Sequence, residues 1–125
     1  MKEVGVGILG FGTVGAGVAQ GLLEHRAVMA ERLGVDIVLR KIADLDITTD
    51  RGVSVPEGTL TTDAASVVSD DGIGIVVETI GGTGIAKKLV LDAIAKISAY
   101  DTTIYFLRQI VRKAALLRNI SVFRA

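Results

Sequence analysis

The feature that most constrains this chain is a short apolar run, Val4-Gly5-Val6-Gly7-Ile8-Leu9, that leads straight into Gly10-Phe11-Gly12-Thr13-Val14-Gly15. So short a run suits a strand better than a helix, and its unbroken apolar character suits a strand buried on both faces, as parallel strands covered by helices are. Gly10 permits a sharp turn, Gly12 leaves no Cβ between the backbone and an approaching pyrophosphate, and Gly15 lets a helix pack close to the strand. The free N–H groups of the first helical turn then face an anion, with the positive end of the helix dipole behind them.

A GxGxxG pattern alone is weak, because this chain has 15 glycines and such a turn is often purely structural. Its context strengthens it: a strand before, a helix after, and an acid at the end of the next strand. Val14, Val18, Leu22, Met29 and Leu33 keep one face apolar at helical spacing, with Glu24, Arg26, Glu31 and Arg32 elsewhere. Gly34 stands where a C-terminal glycine ends a helix. Residues Asp36 to Asp44 then read as a second strand, and Asp44 is an acid able to accept the hydroxyls of an adenosine ribose.

With 125 residues, half of them apolar, the chain suits one domain and one core. No apolar run approaches the roughly 18 residues of a membrane span, and no basic segment with a long apolar stretch opens the chain. The expectation is a cytoplasmic protein without a membrane partner. There is no cysteine, and the single histidine, His25, falls within the first helical pattern as a surface residue. A metal site would have to be all-carboxylate, and none is expected. The zero net charge hides an asymmetry: residues 1–98 carry nine Lys or Arg against thirteen Asp or Glu, and residues 99–125 carry five against one. Arg108, Arg112 and Arg118 alternate with apolar residues at helical spacing, so the tail reads as a solvated helix face and not as a nucleic-acid surface.

Beyond Asp44, residues 45–58 are rich in Asp, Thr and Gly and hold the only proline, Pro56, which predicts a loop. Thr59 to Thr62 is a candidate short strand, Asp63 a cap for a helix running through Val68, and Asp70-Asp71-Gly72 a turn. Ile73 to Thr79 repeats the buried-strand pattern. The alternation predicts an α/β fold: a Rossmann-like, doubly wound parallel sheet of three layers in a single domain. Thr79-Ile80-Gly81-Gly82-Thr83-Gly84 is a second glycine-rich loop at a strand end, where ligands of such sheets bind, and Thr79, Ile80 and Gly81 are placed to meet a nicotinamide ribose or ring. Ile85, Leu89, Ala93, Ile94 and Ile97 follow as one side of a cover helix.

Five stretches together resemble the amino-terminal part of homoserine dehydrogenase: Ile8 to Gly15, Glu31 to Val35, Lys41 to Asp44, Leu60 to Asp63 and Ile75 to Gly82. The resemblance covers roughly residues 4–96, and it is specific. Asp44 comes 29 residues after Gly15, against a commoner spacing of about 20, and that long first helix looks like this family's version. What the resemblance implies is NAD(P)-dependent interconversion of homoserine and aspartate 4-semialdehyde. Carried over by position, the phosphate loop falls on Phe11, Gly12, Thr13 and Val14, and the nicotinamide loop on Thr79, Ile80 and Gly81. Arg40 stands where some members meet the 2′-phosphate of NADP, whereas Asp44 would favour the free hydroxyls of NAD, so the cofactor is NAD or NADP.

Residues 97–125 depart from the family. Members continue with a Thr-Ala-Asn-Lys stretch whose lysine reaches toward cofactor and substrate, and no lysine stands there in Ile97-Ser98-Ala99-Tyr100-Asp101-Thr102-Thr103. Two accounts are open: a truncated or frame-shifted product with an unrelated tail, or a strand at 97–100, a helix at 103–117 and a strand at 120–123 that close a small sheet. The expected division is therefore a dinucleotide-binding domain at 1–96 and a divergent tail at 97–125. No catalytic residue is assigned, and homoserine or aspartate semialdehyde would be handled only with a substrate domain supplied. A stand-alone sensor or regulatory module using the same loop is the alternative, and Tyr105-Phe106-Leu107 with Ile110-Val111 would serve self-association into a homo-oligomer.

Overall fold

The computed structural model describes residues 1–80, 88, 91, 92 and 121–124. Gly81 with the rest of the second glycine loop, most of the cover helix, and the strand and helix expected at 97–100 and 103–117 lie outside the described residues. The elements are β1 (Lys2–Leu9), α1 (Thr13–Glu24), α2 (Arg26–Leu33), β2 (Val35–Ala43), β3 (Leu60–Thr61), α3 (Ala64–Ser69), β4 (Ile73–Glu78) and β5 (Ser121–Arg124). Their order in the sheet is β3-β2-β1-β4-β5. The first four strands are parallel, and β5 pairs antiparallel with β4, Ser121 opposite Glu78 and Arg124 opposite Ile75.

Alternation along β1 divides the core. Val6 and Ile8 face a cluster with Ala16, Ala19, Ile37 and Leu39, where α1 packs. Leu9 faces the other side, with Val67 and Val68 of α3 and Ile73 and Val76 of β4. A Cβ on Gly7 would run into Val67 and Ile73, so the missing side chain is what lets α3 sit close to β1. Helices thus cover both faces of a parallel sheet, the doubly wound arrangement that the strand–helix alternation predicts. Among the described residues no helix is long and apolar enough to cross a membrane.

Two local readings need correction. The single long helix is two, joined at His25, whose φ of −107° and ψ of 11° leave the helical range while its N–H still reaches the Gly21 carbonyl. Val18, Leu22 and Met29 pack against the core as expected, but Val14 and Leu33 are exposed, and the buried positions of α1 are Gly15, Ala16 and Ala19. Small residues take those positions because α1 lies directly against the loop and sheet. The other boundaries hold: Gly34 ends α2 in the left-handed region at φ 69°, and Asp63 caps α3 by accepting from the Ser66 N–H.

Two ion pairs tie β2 to the elements packed beside it. Arg26 donates to both oxygens of Asp36, at 2.8 and 2.6 Å, joining α2 to β2. Lys41 lies 2.8 Å from Asp70, joining β2 to the turn before β4. The hydrogen bond from Arg26 holds the Asp36 carboxyl below the usual carboxylate range, and that from Lys41 does the same for Asp70. A depressed folded-state pKa contributes stability that is complete above the unfolded value of about 3.9 and is lost as pH falls through the folded value. Urea midpoints of the parent chain should therefore lie above those of Asp36→Asn at pH 7, by a small margin because the pair is open to solvent, and fall toward them as the pH drops from 5 to 3. Parallel acid limbs in the two proteins would contradict this.

Candidate functional site

The loop between β1 and α1 is fixed from both sides. On one side the Gly10 N–H donates to the Ala43 carbonyl at 2.7 Å, and the Phe11 N–H donates to Asp44 Oδ2 at 2.6 Å. On the other side, the Thr79 N–H donates to the Leu9 carbonyl at 2.8 Å, and the Thr79 hydroxyl lies 3.0 Å from the Leu9 oxygen and 3.1 Å from that of Gly10. The ends of β2, β1 and β4 are thereby drawn into one rim. The Gly10 φ of 103° is a value that side chains rarely adopt. A Cβ on Gly15 would collide with the Gly10 carbonyl, so this glycine brings the helix against the loop itself.

Gly12 is different. A Cβ there would meet nothing within 4 Å, and its open side lies at the amino end of α1. No side chain caps α1 and its first turn carries no acid, whereas the short α3 is capped by Asp63. The helix end aimed at the rim is thus left with backbone N–H groups to offer.

Two clefts open at this rim. One, of about 250 Å³, is lined by Gly12, Thr13, Gln20, Arg51 and Val53 among others. The second, of about 190 Å³, is mainly apolar and is lined by Ala43, Asp44, Leu45, Thr62, Ala64 and Ile80. Both lie at the carboxyl ends of parallel strands, and β1 and β4 flank the point where the chain reverses its winding direction.

The sequence-predicted residues divide as follows. Gly10, Gly12, Thr13, Val14, Gly15, Asp44, Thr79 and Ile80 are gathered at the rim. Phe11 belongs there by its backbone, but its ring is buried in the core and its N–H is taken by Asp44, so it has no donor left for a phosphate. Asp44 accepts a second N–H, from Asp46, at its other oxygen. Arg40 is not part of the site. It pairs with Glu3 at the amino-terminal end of β1, and its side chain runs beside Gly5, next to Gly72. In register Arg40 stands at the bulge beside Val6 and Gly7, three residues before Ala43 at the end of β2, and its side chain is turned toward Glu3 and away from the glycine loop, so its placement gives the 2′-phosphate reading of Arg40 no support.

A family model described as the NAD binding domain of homoserine dehydrogenase matches residues 10–99, beginning at the turn glycine. The chain belongs to the homoserine dehydrogenase family. Homoserine dehydrogenases of Bacillus subtilis and Methylobacillus glycogenes are 34% and 43% identical to it over 94 residues, 75% of this chain but only 22% and 23% of theirs. The chain therefore spans less than a quarter of the length of these relatives. A homoserine dehydrogenase structure from Thiobacillus denitrificans superposes with a TM-score of 0.67 at 38% identity, over 76% of this chain and 22% of that one. The S. aureus homoserine dehydrogenase at pH 8.5 gives 0.69 at 32% identity, over 75% and 24%.

Within this homoserine dehydrogenase domain, sequence reasoning missed Arg51, Val53, Leu45 and Thr62. The available signal was Arg51 as the only cation in a loop that carries Asp46 and Asp50. Asp44 was read as a ligand-binding acid, yet it also holds the loop. Asp44→Ala strands the Phe11 and Asp46 N–H groups, and urea unfolding of that variant should show a loss of about 1–3 kcal/mol. An unchanged midpoint would mean that the Phe11–Asp44 bond does not hold the rim.

Proposed function

We propose that residues 1–96 form the dinucleotide-binding domain of a homoserine dehydrogenase and take NAD or NADP, with residues 97–125 as a divergent tail. The observation that carries this is the uncapped amino end of α1 behind Gly12, whose missing Cβ leaves the approach open. The residues fit the cofactor's shape and charge. Gly12, Thr13, Val14 and Gly15 offer the first-turn N–H groups and the helix dipole to the diphosphate. The apolar cleft beside Ala43 and Leu45 suits the adenine face. Thr79 and Gly10 act by position, keeping the loop at the height where the phosphates can reach it. The family resemblance assigns Thr79, Ile80 and Gly81 to the nicotinamide end.

Bound nicotinamide supplies hydride acceptance and donation, and the chain's part is to hold the dinucleotide in one orientation and keep its phosphates out of water. The proposed reaction is the interconversion of homoserine and aspartate 4-semialdehyde, carried out in the cytoplasm. Gripping the amino-acid substrate close to the nicotinamide is a matter of several kcal/mol of positioning, and we assign that to segments of the relatives beyond the stretch that this chain matches. The 125 residues alone should therefore bind without turning over.

Calorimetric titration with NAD and with NADP tests this directly. The parent chain should bind at least one of them, Gly12→Leu should lose that affinity about tenfold or more, and homoserine-dependent reduction should be absent from the same sample. Binding that survives Gly12→Leu would place the site elsewhere, and robust turnover would overturn the division of labour.

A further inference from the structure

We infer that Glu78 is a positioning residue for the dinucleotide, holding the turn after β4 against the glycine loop so that Ile80 faces the cofactor cleft. The inference rests on the dinucleotide reading above. Glu78 ends β4 and is buried, only 7% exposed. It stands opposite Leu9 of β1 on one side and Ser121 of β5 on the other, the last paired position of β4 in both ladders. The pleat turns it to the face of the sheet that carries Leu9 and Val76. A carboxylate is costly to keep in such a place unless it makes hydrogen bonds there.

One of those bonds reaches two residues further along the chain. The Thr79 N–H continues the ladder to the Leu9 carbonyl, but the Ile80 N–H turns off it and donates to Glu78 Oε1 at 2.5 Å. A charged acceptor makes this one of the stronger bonds open to a backbone N–H. The turn it closes lies directly on the glycine loop, since a Cβ on Gly10 would come within 3.1 Å of the Ile80 nitrogen. Ile80 itself is 46% exposed and lines the apolar cleft with Ala43 and Asp44. The acid stands behind the wall of the cleft, and the isoleucine is part of its surface.

Thr79 therefore fastens β4 to the loop, and Glu78 sets the direction in which the chain leaves it. Without an acceptor at position 78, the Ile80 N–H would lose the bond that bends the turn while still packed against Gly10. An amide could accept the same N–H, so the role needs an acceptor at this reach and not a charge. Glu78 acts on the dinucleotide through Ile80 and not by contact.

The test is calorimetric titration of the 125-residue chain with NAD and NADP, repeated for Glu78→Gln, Glu78→Met, Ile80→Ala and the double variant carrying Glu78→Met and Ile80→Ala. Glu78→Gln keeps the acceptor and should bind within about threefold of the parent. Glu78→Met keeps the volume without the acceptor and should lose about tenfold, as should Ile80→Ala. Because one residue acts through the other, the losses should not add, and the double variant should bind within about twofold of Ile80→Ala. Amide hydrogen exchange at Ile80, slow in the parent and in Glu78→Gln and faster in Glu78→Met, reads the hydrogen bond itself. Should Glu78→Met fail to fold, the other two single variants decide: the inference holds with Ile80→Ala weakened and Glu78→Gln near the parent. Unchanged affinity in Ile80→Ala or a tenfold loss in folded Glu78→Gln overturns it. So does a Glu78→Met that binds as the parent does, or losses that add in the double variant, with the dinucleotide reading left intact. A parent that binds neither NAD nor NADP overturns both.

Discussion

One carboxylate holds the two banks of the cofactor cleft together. Asp44, at the end of β2, accepts the Phe11 N–H from the glycine loop at one oxygen and the Asp46 N–H from its own loop at the other. The neighbouring Gly10 to Ala43 bond continues the β1–β2 ladder into the turn. On the far side, Thr79 fastens β4 to the same turn through both its N–H and its hydroxyl. A loop held at both edges leaves α1 little choice of direction. Its uncapped amino end points where these bonds aim it.

The core supports that arrangement by close approach more than by bulk. Gly7 admits α3, Gly15 admits the turn, and Ala16 and Ala19 let α1 settle onto Val6 and Ile8. Larger residues at any of these places would lift a helix off the sheet and carry the phosphate-facing N–H groups with it. Packing and binding therefore draw on the same few small residues, and a change made for one is felt by the other.

Much of this was legible in the sequence because it depends on local rules. The apolar run, the glycine spacing, the Gly34 stop, the Asp63 cap and the acid after β2 each follow from backbone freedom, capping or pleat. What was not legible depends on three-dimensional register. Arg40 and Asp44 are only four residues apart, yet Arg40 falls at the bulge beside Val6 and Gly7 and pairs with Glu3, so its side chain is drawn away from the end of β2 that Asp44 follows. The apolar pattern found Val18, Leu22 and Met29, which pack against the core, but not Gly15, Ala16 and Ala19, the buried part of α1, because valine and leucine dominate a hydrophobic pattern. The break at His25 has no glycine or proline to announce it. Arg51 was invisible because a loop without periodicity gives no hint of what its side chains face. The antiparallel β5 lies within a tail for which the family pattern offered no guide, although a strand at 120–123 was one of its two open readings.

The central claim is that a backbone anion site at the carboxyl ends of the strands binds the dinucleotide. Amide chemical shifts of the ¹⁵N-labelled chain, followed by NMR as NADP is added, test it most directly. The account predicts that the largest changes fall at Gly12, Thr13, Val14 and Gly15 and in the loop through Arg51. Changes concentrated instead around Glu3 and Gly72, at the other end of the sheet, would contradict it.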